Sequence, residues 1–296
     1  MSFHWKTSDG ESRVARAWQR DRGHGVLACV HGLSGSGEQF EPVARQLDYF
    51  SVYALELRGQ GLDPVLERRA MVLDLEAQHR DIGDFLDALR ERHPGEPVYL
   101  LGESMGALLS ASFAAVRPDN GIEGLILSVP VVALARPVPQ WLRRVVRGIG
   151  CSFPRLKFYP SWFVSGKAVA PPLTRDRAYQ DALREKPHFL QAFTLSFLTE
   201  LGDLIEQRRA TAPRVRKPTL VLAAGNDCFV GVSQIEEWFG KLGSTDKTLK
   251  VYSEAYHLLW HDHDRDAVLA DVGQWLKSRN IVAACPESGR PLSARC

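Results

Sequence analysis

The sequence predicts an α/β protein with a mostly parallel central sheet that is flanked by helices on both faces. Short runs of continuous apolar residues alternate with longer segments of helical periodicity. A parallel sheet that is covered on both faces needs strands of this kind, and the alternation supplies the crossover helices. The predicted buried strands are Gly25–Val30, Ser51–Leu55, Val98–Gly102, Gly124–Val129, Thr219–Ala224 and Leu249–Tyr252.

The segments between these strands have the apolar spacing of helices. One apolar stripe begins at Leu75 and ends before the turn His93–Gly95, and a second helix is predicted over Met105–Val116. The first strands of the chain, near Phe3–Thr7 and Arg13–Gln19, are joined by a short turn. We expect them to form a hairpin at one edge of the sheet.

Composition places the chain among ordinary globular enzymes. It has 296 residues, 45% hydrophobic and 24% charged, with a formal net charge of +2. The N-terminus lacks the apolar centre of a signal peptide, and no apolar run is long enough to span a bilayer. The five cysteines are odd in number and widely spaced, which predicts neither a disulfide framework nor a zinc site. A cytoplasmic protein is expected.

The regular alternation breaks between about residues 131 and 201, where prolines and aromatic residues accumulate. We interpret this stretch as an inserted helical cap over the carboxyl edge of the sheet. The predicted organisation is therefore a core over 1–130, a cap or lid over 131–201, the second part of the core over 202–278, and a C-terminal tail over 279–296.

The segment Gly102-Glu103-Ser104-Met105-Gly106 is a GxSxG motif that follows a predicted strand and opens a predicted helix. Its glycines allow a strained strand-to-helix turn, which lifts the serine hydroxyl clear of the sheet. The motif alone is weak, and a structural glycine turn with an unreactive serine is the alternative. The flanking strand and helix favour Ser104 as a nucleophile.

A serine hydroxyl needs a base, and the base needs an orienting acid. His257 follows the last predicted strand and is the predicted base, although a surface loop histidine would fit the same place. Asp227 follows the preceding strand and is the predicted acid, with Glu254 and Asp203 as weaker candidates. The chain order serine, aspartate, histidine and the positions after strand ends agree with an α/β-hydrolase site.

The tetrahedral intermediate of such a site needs two backbone N–H donors. The residue after the nucleophile, Met105, should provide one, and Leu33 in the glycine-rich loop after an early strand should provide the other. An ordinary strand-to-helix connection is the alternative for this loop. The loop lacks the GxxxxGK[ST] spacing of a phosphate loop.

The run His261-Asp262-His263-Asp264 contains side chains that can bind metals. The ligands are crowded, and no further ligand is clearly brought in, so we expect a solvated helix start and no metal site. The predicted chemistry needs no cofactor.

Several segments together resemble the monoacylglycerol lipase and lysophospholipase branch of the α/β-hydrolases. The matching segments are Trp5–Gly10, His31–Leu33, Leu57–Gly61, Leu173–Asp176 and Asp271–Leu276, and Asp227 and His257 fall on the acid and base positions. The chain departs from the family pattern at Gln60, where a histidine is usual, at Ser36–Glu38, and at Glu103 in the variable elbow position.

The residues and this resemblance imply a serine hydrolase that cleaves carboxylic esters through an acyl-enzyme. A lipase or esterase acting on monoacylglycerol or lysophospholipid-like substrates is expected. Two alternatives stay open: an acyltransferase on the same triad, and a hydrolase-like ligand receptor without catalysis.

Acidic residues are absent from 124 to 175, whereas arginines and lysines are frequent there. Within this stretch Trp141–Ile149 has the pattern of an amphipathic helix with an apolar and a basic face. The apolar face either packs on the core or faces anionic lipid, which would give peripheral membrane contact. Trp141, Trp162 and Phe163 are the predicted substrate-binding residues, and nucleic acid is not an expected partner.

Overall fold

The structure is a computed structural model that describes residues 1–21, 23–71, 73–133, 138–158 and 172–283. The strands of the central sheet are β1 Ser2–Lys6, β2 Ser12–Trp18, β3 Val26–Val30, β4 Ser51–Leu55, β5 Val98–Glu103, β6 Gly124–Ser128, β9 Thr219–Ala224 and β10 Lys247–Tyr252. Their spatial order is β1-β2-β4-β3-β5-β6-β9-β10.

The sheet is parallel from β4 to β10, and only the β1–β2 and β2–β4 pairs are antiparallel. The hairpin that the sequence predicts therefore lies at one edge. The predicted mostly parallel α/β sheet is confirmed. Strand boundaries differ from the sequence prediction by no more than two residues, because apolar runs locate strand centres better than strand ends.

Helices cover both faces of the sheet. They are α1 Glu41–Gln46, α2 Leu75–Arg92, α3 Met105–Val116, α4 Gln140–Ser152, α5 Arg177–Arg184, α6 Leu195–Thr211, α7 Val232–Gly240 and α8 Arg265–Ala283. Residues of α2, α3, α6 and α7 pack in one hydrophobic cluster, and residues of α1 and α8 pack in a second. These two clusters are the two faces of the sheet.

Strand β3 shows why the strands are apolar throughout. Val26, Ala28 and Val30 lie in the first cluster, whereas Leu27 and Cys29 lie in the second, and all five are fully buried. Side chains alternate across a strand, so a strand between two helical layers has no solvent face. Cys29, within the predicted strand Gly25–Val30, is therefore a core residue.

The region predicted as a cap lies between β6 and α6, and the division into core and cap stays a prediction. Its elements include α4, α5 and a two-stranded antiparallel sheet made of β7 Lys157–Phe158 and β8 Phe193–Thr194. Helix α6 runs without interruption through the predicted cap boundary at residue 201, and α8 extends to Ala283. The topology also brings the loops after β3, β5, β9 and β10 to one edge of the sheet, where open parallel sheets bind their ligands.

Candidate active site

Ser104 lies at the turn from β5 into α3, with backbone angles φ 57° and ψ −117°. A non-glycine residue rarely adopts a positive φ, and here the surrounding packing holds it there. A Cβ atom at Gly106 would overlap the carbonyl oxygens of Val30 and His31, so only glycine lets α3 approach β3 this closely. The turn directs the Ser104 hydroxyl towards the loops at the carboxyl edge.

Three side chains from distant parts of the chain form one hydrogen-bonded relay. The Nε2 atom of His257 lies 2.9 Å from Ser104 Oγ, and its Nδ1 atom lies 2.7 Å from Asp227 Oδ2. The exposed fraction is 8% for Ser104 and 4% for His257, and the Asp227 side chain is fully buried. A serine, a base and an acid with these contacts have the geometry of an acyl-transfer triad.

Asp227 is held by more than the histidine. Its Oδ1 atom accepts the backbone N–H groups of Phe229 at 2.8 Å and Val230 at 3.3 Å, which leaves Oδ2 directed at the imidazole. The ring of Phe229 meets His257 edge-to-face, with centroids 4.8 Å apart. The weaker acid candidate Asp203 lies on α6, where it pairs with Arg147 of α4, so the structure does not bring it to the histidine.

The loop after β3 packs directly against the nucleophile. A Cβ atom at Gly32 would lie 3.0 Å from Ser104 Cβ, so the backbone at this loop is close to the serine. The next residue is Leu33, and Met105 is the first residue of α3, where an N–H group has no partner inside the helix. The structure thus places Gly32, the residue before Leu33, and Met105 beside Ser104, and the role of Leu33 and Met105 as oxyanion donors stays a prediction.

The imidazole ring of His31, in its neutral form, fixes the start of this loop. The backbone N–H of Leu57 donates to His31 Nε2 at 3.2 Å, so Nδ1 carries the proton and donates to Gly32 O at 2.8 Å. Burial lowers the pKa of His31 to about 4, which keeps the ring neutral at physiological pH. A neutral ring with one donor and one acceptor holds the peptide that precedes Leu33.

Ser34 connects the same loop to the core and to the cap. Its N–H donates to Gln60 Oε1 at 3.0 Å, and its hydroxyl donates to the carbonyl oxygen of Leu190 at 2.9 Å. Gln60, which stands where the resembled family has a histidine, is therefore an acceptor for the oxyanion loop. This contact is a role that the sequence analysis missed.

The segment Leu173–Asp176, in the predicted cap, forms hydrogen bonds with the loop that carries His257. Leu258 N–H donates to Leu173 O at 2.8 Å, and the Thr174 hydroxyl donates to His261 O at 2.6 Å. Arg175 Nε donates to Asp262 Oδ1 at 2.5 Å. The segment Leu173–Asp176 thus fixes the loop of His257 through three contacts.

The expectation of a solvated helix start at residues 261–264 is wrong for Asp262. Its exposed fraction is 2%, and its carboxylate oxygens accept from Arg175 Nε and from the backbone N–H groups of Tyr256 and His263. The neighbouring His261 stacks on Tyr179 of α5 with ring centroids 3.8 Å apart. The sequence carried no local signal for this pair, because Arg175 and Asp262 are 87 positions apart. Within the described residues, no group of three or more potential metal ligands is assembled.

Helix α4 does not bury the apolar face that the sequence predicts for it. Leu142 and Val146 are half-buried, but Trp141, Val145 and Ile149 are exposed by 66%, 49% and 39%. The interpretation in which this face simply packs on the core is therefore wrong for those three side chains. Of the predicted substrate-binding residues, Trp141 lies on this exposed face.

The other two predicted substrate-binding residues, Trp162 and Phe163, lie outside the described residues.

The basic residues of α4 partly face α6. Arg143 pairs with Glu206, and Arg147 pairs with Asp203 at 2.6 Å. In the part of the chain that is described, no helix is both long and apolar enough to cross a membrane.

Comparisons with known proteins identify the family to which the chain belongs. Residues 21–264 match the family model described as "Serine aminopeptidase, S33". Human monoglyceride lipase is 26% identical over 288 residues, which cover 95% of this chain and 91% of that protein. Phospholipase YtpA of Bacillus subtilis is 25% identical over 255 residues, covering 85% of this chain and 94% of that protein.

The fold also matches solved structures. A soluble variant of monoglyceride lipase from Saccharomyces cerevisiae, solved in complex with a substrate analog, superposes with a TM-score of 0.78 at 19% identity. The match covers 93% of this chain and 94% of that structure. The resemblance to the monoacylglycerol lipase branch is confirmed, and the chain belongs to the serine aminopeptidase S33 family of α/β-hydrolases.

Proposed function

We propose that this protein is a serine hydrolase that cleaves carboxylic esters through an acyl-enzyme, with Ser104 as nucleophile, His257 as general base and Asp227 as orienting acid. The observation that carries the proposal is the continuous relay from Asp227 Oδ2 through the imidazole to Ser104 Oγ, with distances of 2.7 and 2.9 Å. A serine hydroxyl becomes a competent nucleophile when a base of this kind accepts its proton.

The reaction follows from the positions of these atoms. Ser104 Oγ attacks the ester carbonyl while its proton moves to His257 Nε2. Asp227 stabilises the resulting imidazolium, and the N–H groups of Leu33 and Met105 donate to the oxyanion. His257 then protonates the departing alcohol. Water, activated by the same histidine, releases the carboxylic acid and restores the serine.

We propose monoacylglycerol or a lysophospholipid-like ester as the substrate. The similar proteins are named as a monoglyceride lipase and a phospholipase, and both names denote enzymes that act on lipid esters. The apolar surface of α4 supports the same substrate class, because an acyl chain that leaves a lipid phase needs apolar surface along its path. Trp141 on that helix is proposed to contact lipid.

Peripheral membrane contact through the cap is part of this proposal. Trp141, Val145 and Ile149 recur every four residues, so they form one stripe along α4. Arg144 on the same helix is exposed and can approach anionic head groups. An amphipathic helix with Trp on its apolar face and arginine beside it can lie in the membrane interface.

The test is a panel of esters with graded acyl length, including monoacylglycerols and lysophospholipids, measured beside Ser104→Ala. We expect turnover of medium or long acyl chains, and a fall in kcat of roughly 10⁴-fold or more in the variant. A fluorophosphonate probe should label the wild type and not Ser104→Ala. Unchanged turnover in the variant would overturn the proposal. Product analysis with an added alcohol distinguishes hydrolysis from acyl transfer.

A further inference from the structure

The oxyanion loop, residues 31–37, contains a tight turn that is closed by a hydrogen bond from Gly35 N–H to Gly32 O at 3.1 Å. Leu33 and Ser34 are the two central residues of this turn, and Ser34 has a φ of 62°. A positive φ at the third residue of a turn favours glycine there, because a Cβ atom makes this conformation unfavourable. This chain has a serine at that position, so a contact outside the turn must hold it.

The side chain of Gln60 supplies a contact of this kind. Ser34 N–H donates to Gln60 Oε1 at 3.0 Å. Because an N–H group can only donate, the atom that faces it is the amide oxygen and not the amide nitrogen. A serine with the more usual negative φ would require the peptide plane between Leu33 and Ser34 to rotate, which would break this hydrogen bond. The contact therefore stabilises the positive φ of Ser34.

Gln60 is itself held in a fixed position. Its side chain is fully buried, its N–H donates to Leu57 O at 3.0 Å, and its carbonyl oxygen accepts from Asp63 N–H at 3.0 Å. The amide nitrogen, Nε2, has no hydrogen-bond partner among the described residues. Burying a polar atom in this state costs free energy, so packing alone does not account for a glutamine here. Its one side-chain contact, at Oε1, is the contact with the oxyanion loop.

The loop after β4 also holds the two ends of the oxyanion loop. At the start, Leu57 N–H donates to His31 Nε2 at 3.2 Å, and at the end, Gly37 N–H donates to Glu56 Oε1 at 3.0 Å. Gln60 acts between these points, at the turn. The two end contacts do not involve the Gln60 side chain, so its loss should change the conformation of the turn and leave the ends of the loop in place.

We propose that Gln60 is a positioning residue that holds Ser34 at its positive φ and so keeps Leu33 N–H directed at the oxyanion. The inference rests on the proposed function, in which Leu33 is one of the two oxyanion donors. Gln60 takes no covalent part in the reaction, and no proton passes through it. Negative charge on the carbonyl oxygen develops in the transition state, so the loss of Gln60 should lower kcat more than it changes KM.

The test begins with Gln60→Met, which removes the acceptor and keeps the length of the side chain. On a water-soluble ester, kcat should fall by about ten- to hundredfold, whereas KM should stay within about threefold of the wild type. NMR should show that the Ser34 amide exchanges with solvent at least about tenfold faster, because its hydrogen bond is lost. The melting temperature should change by no more than about 4 °C.

Substitutions of Ser34 separate the control of φ from packing. Ser34→Gly adopts a positive φ without steric cost, so in this background Gln60→Met should lower kcat by about threefold or less. Ser34→Ala lacks the same hydroxyl, which donates to Leu190 O, but keeps the Cβ atom. In the alanine background Gln60→Met should still cost about ten- to hundredfold. An equal loss in all three backgrounds would show that Gln60 acts through packing and would overturn the inference.

The matched control is Gln78→Met. Gln78 is also fully buried and contacts the same loop, since its Nε2 donates to Arg58 O at 3.2 Å. It should leave kcat within about threefold and Ser34 exchange unchanged, and a loss equal to that of Gln60→Met would contradict the inference. Unchanged Ser34 exchange in Gln60→Met would contradict it as well. Failure of the proposed function has a different sign, namely turnover that survives Ser104→Ala, and the NMR measurement does not depend on turnover.

Discussion

The side chains at the carboxyl edge of the sheet, where the candidate triad lies, are buried and hydrogen-bonded, whereas one face of helix α4 exposes apolar side chains. At the edge, His257 is 4% exposed and its two ring nitrogens both have partners within the chain. On α4, Trp141 is 66% exposed and Val145 is 49% exposed. The edge is thus organised by contacts inside the protein, whereas the outer face of α4 adds little to folding. Substitutions at the edge should affect chemistry, and substitutions on α4 should affect access to lipid.

The largest expected effect comes from Asp227→Asn. The amide keeps the size of the side chain but no longer favours the Nδ1–H tautomer or the imidazolium, so kcat should fall by roughly 10⁴-fold. Steady-state kinetics on a water-soluble ester measures this. The matched control is Asp203→Asn, which breaks an exposed ion pair between α6 and α4. It should stay within twofold of the wild type, and an equal loss there would contradict the assignment of the acid.

The next effect separates the two faces of α4. Val145→Ser combined with Ile149→Ser should lower turnover of monoacylglycerol in vesicles by about tenfold, because two exposed apolar contacts with lipid are lost. Turnover of a short, water-soluble ester should stay unchanged, as should the melting temperature. Val146→Ser, on the half-buried face, should instead lower the free energy of unfolding by about 1 kcal/mol. If the double variant and Val146→Ser had the same vesicle turnover and the same free energy of unfolding, the two faces of α4 would not differ in role.

A smaller effect is expected where the cap meets the edge. Arg175→Met leaves the fully buried Asp262 carboxylate without its cation, although Tyr256 N–H still donates to it. We expect a loss of about 1–2 kcal/mol in stability, since the arginine itself is partly exposed, and a fall of a few-fold in kcat as the histidine loop loosens. Urea unfolding and kinetics measure both. Arg177→Met, exposed at the start of α5, is the control and should change neither.

The smallest expected effect is a pH dependence of the free energy of unfolding. It arises from histidines at the sheet edge and not from residues of α4. Burial lowers the pKa of His31 and of His261 to about 4. Between pH 4 and 6.5 the unfolded chain therefore binds more protons at these residues, so stability should rise with pH and level off above 6.5. His261→Gln should reduce the slope of unfolding free energy by at most about 1.4 kcal/mol for each pH unit. The α4 variants should leave that slope unchanged.

The positions of the strands along the chain and the candidate triad could be predicted from the sequence, because both depend on local patterns. A continuous apolar run defines a strand between two helical layers, and the spacing Gly102-Glu103-Ser104-Met105-Gly106 defines a strained turn that only small residues permit. Once three strands are parallel, their carboxyl ends meet at one edge. Ser104, Asp227 and His257 were therefore expected to lie together before any contact was known.

Outside the central strands, only the tertiary structure decided which side chains are buried. The apolar spacing of α4 is the same whether its stripe faces the core or solvent, and the answer depends on how much of the helix α6 covers. Asp262 looks like a surface residue until Arg175, 87 positions earlier, is placed beside it. Burial and electrostatic environment depend on residues that are distant along the chain, and a local pattern does not contain them.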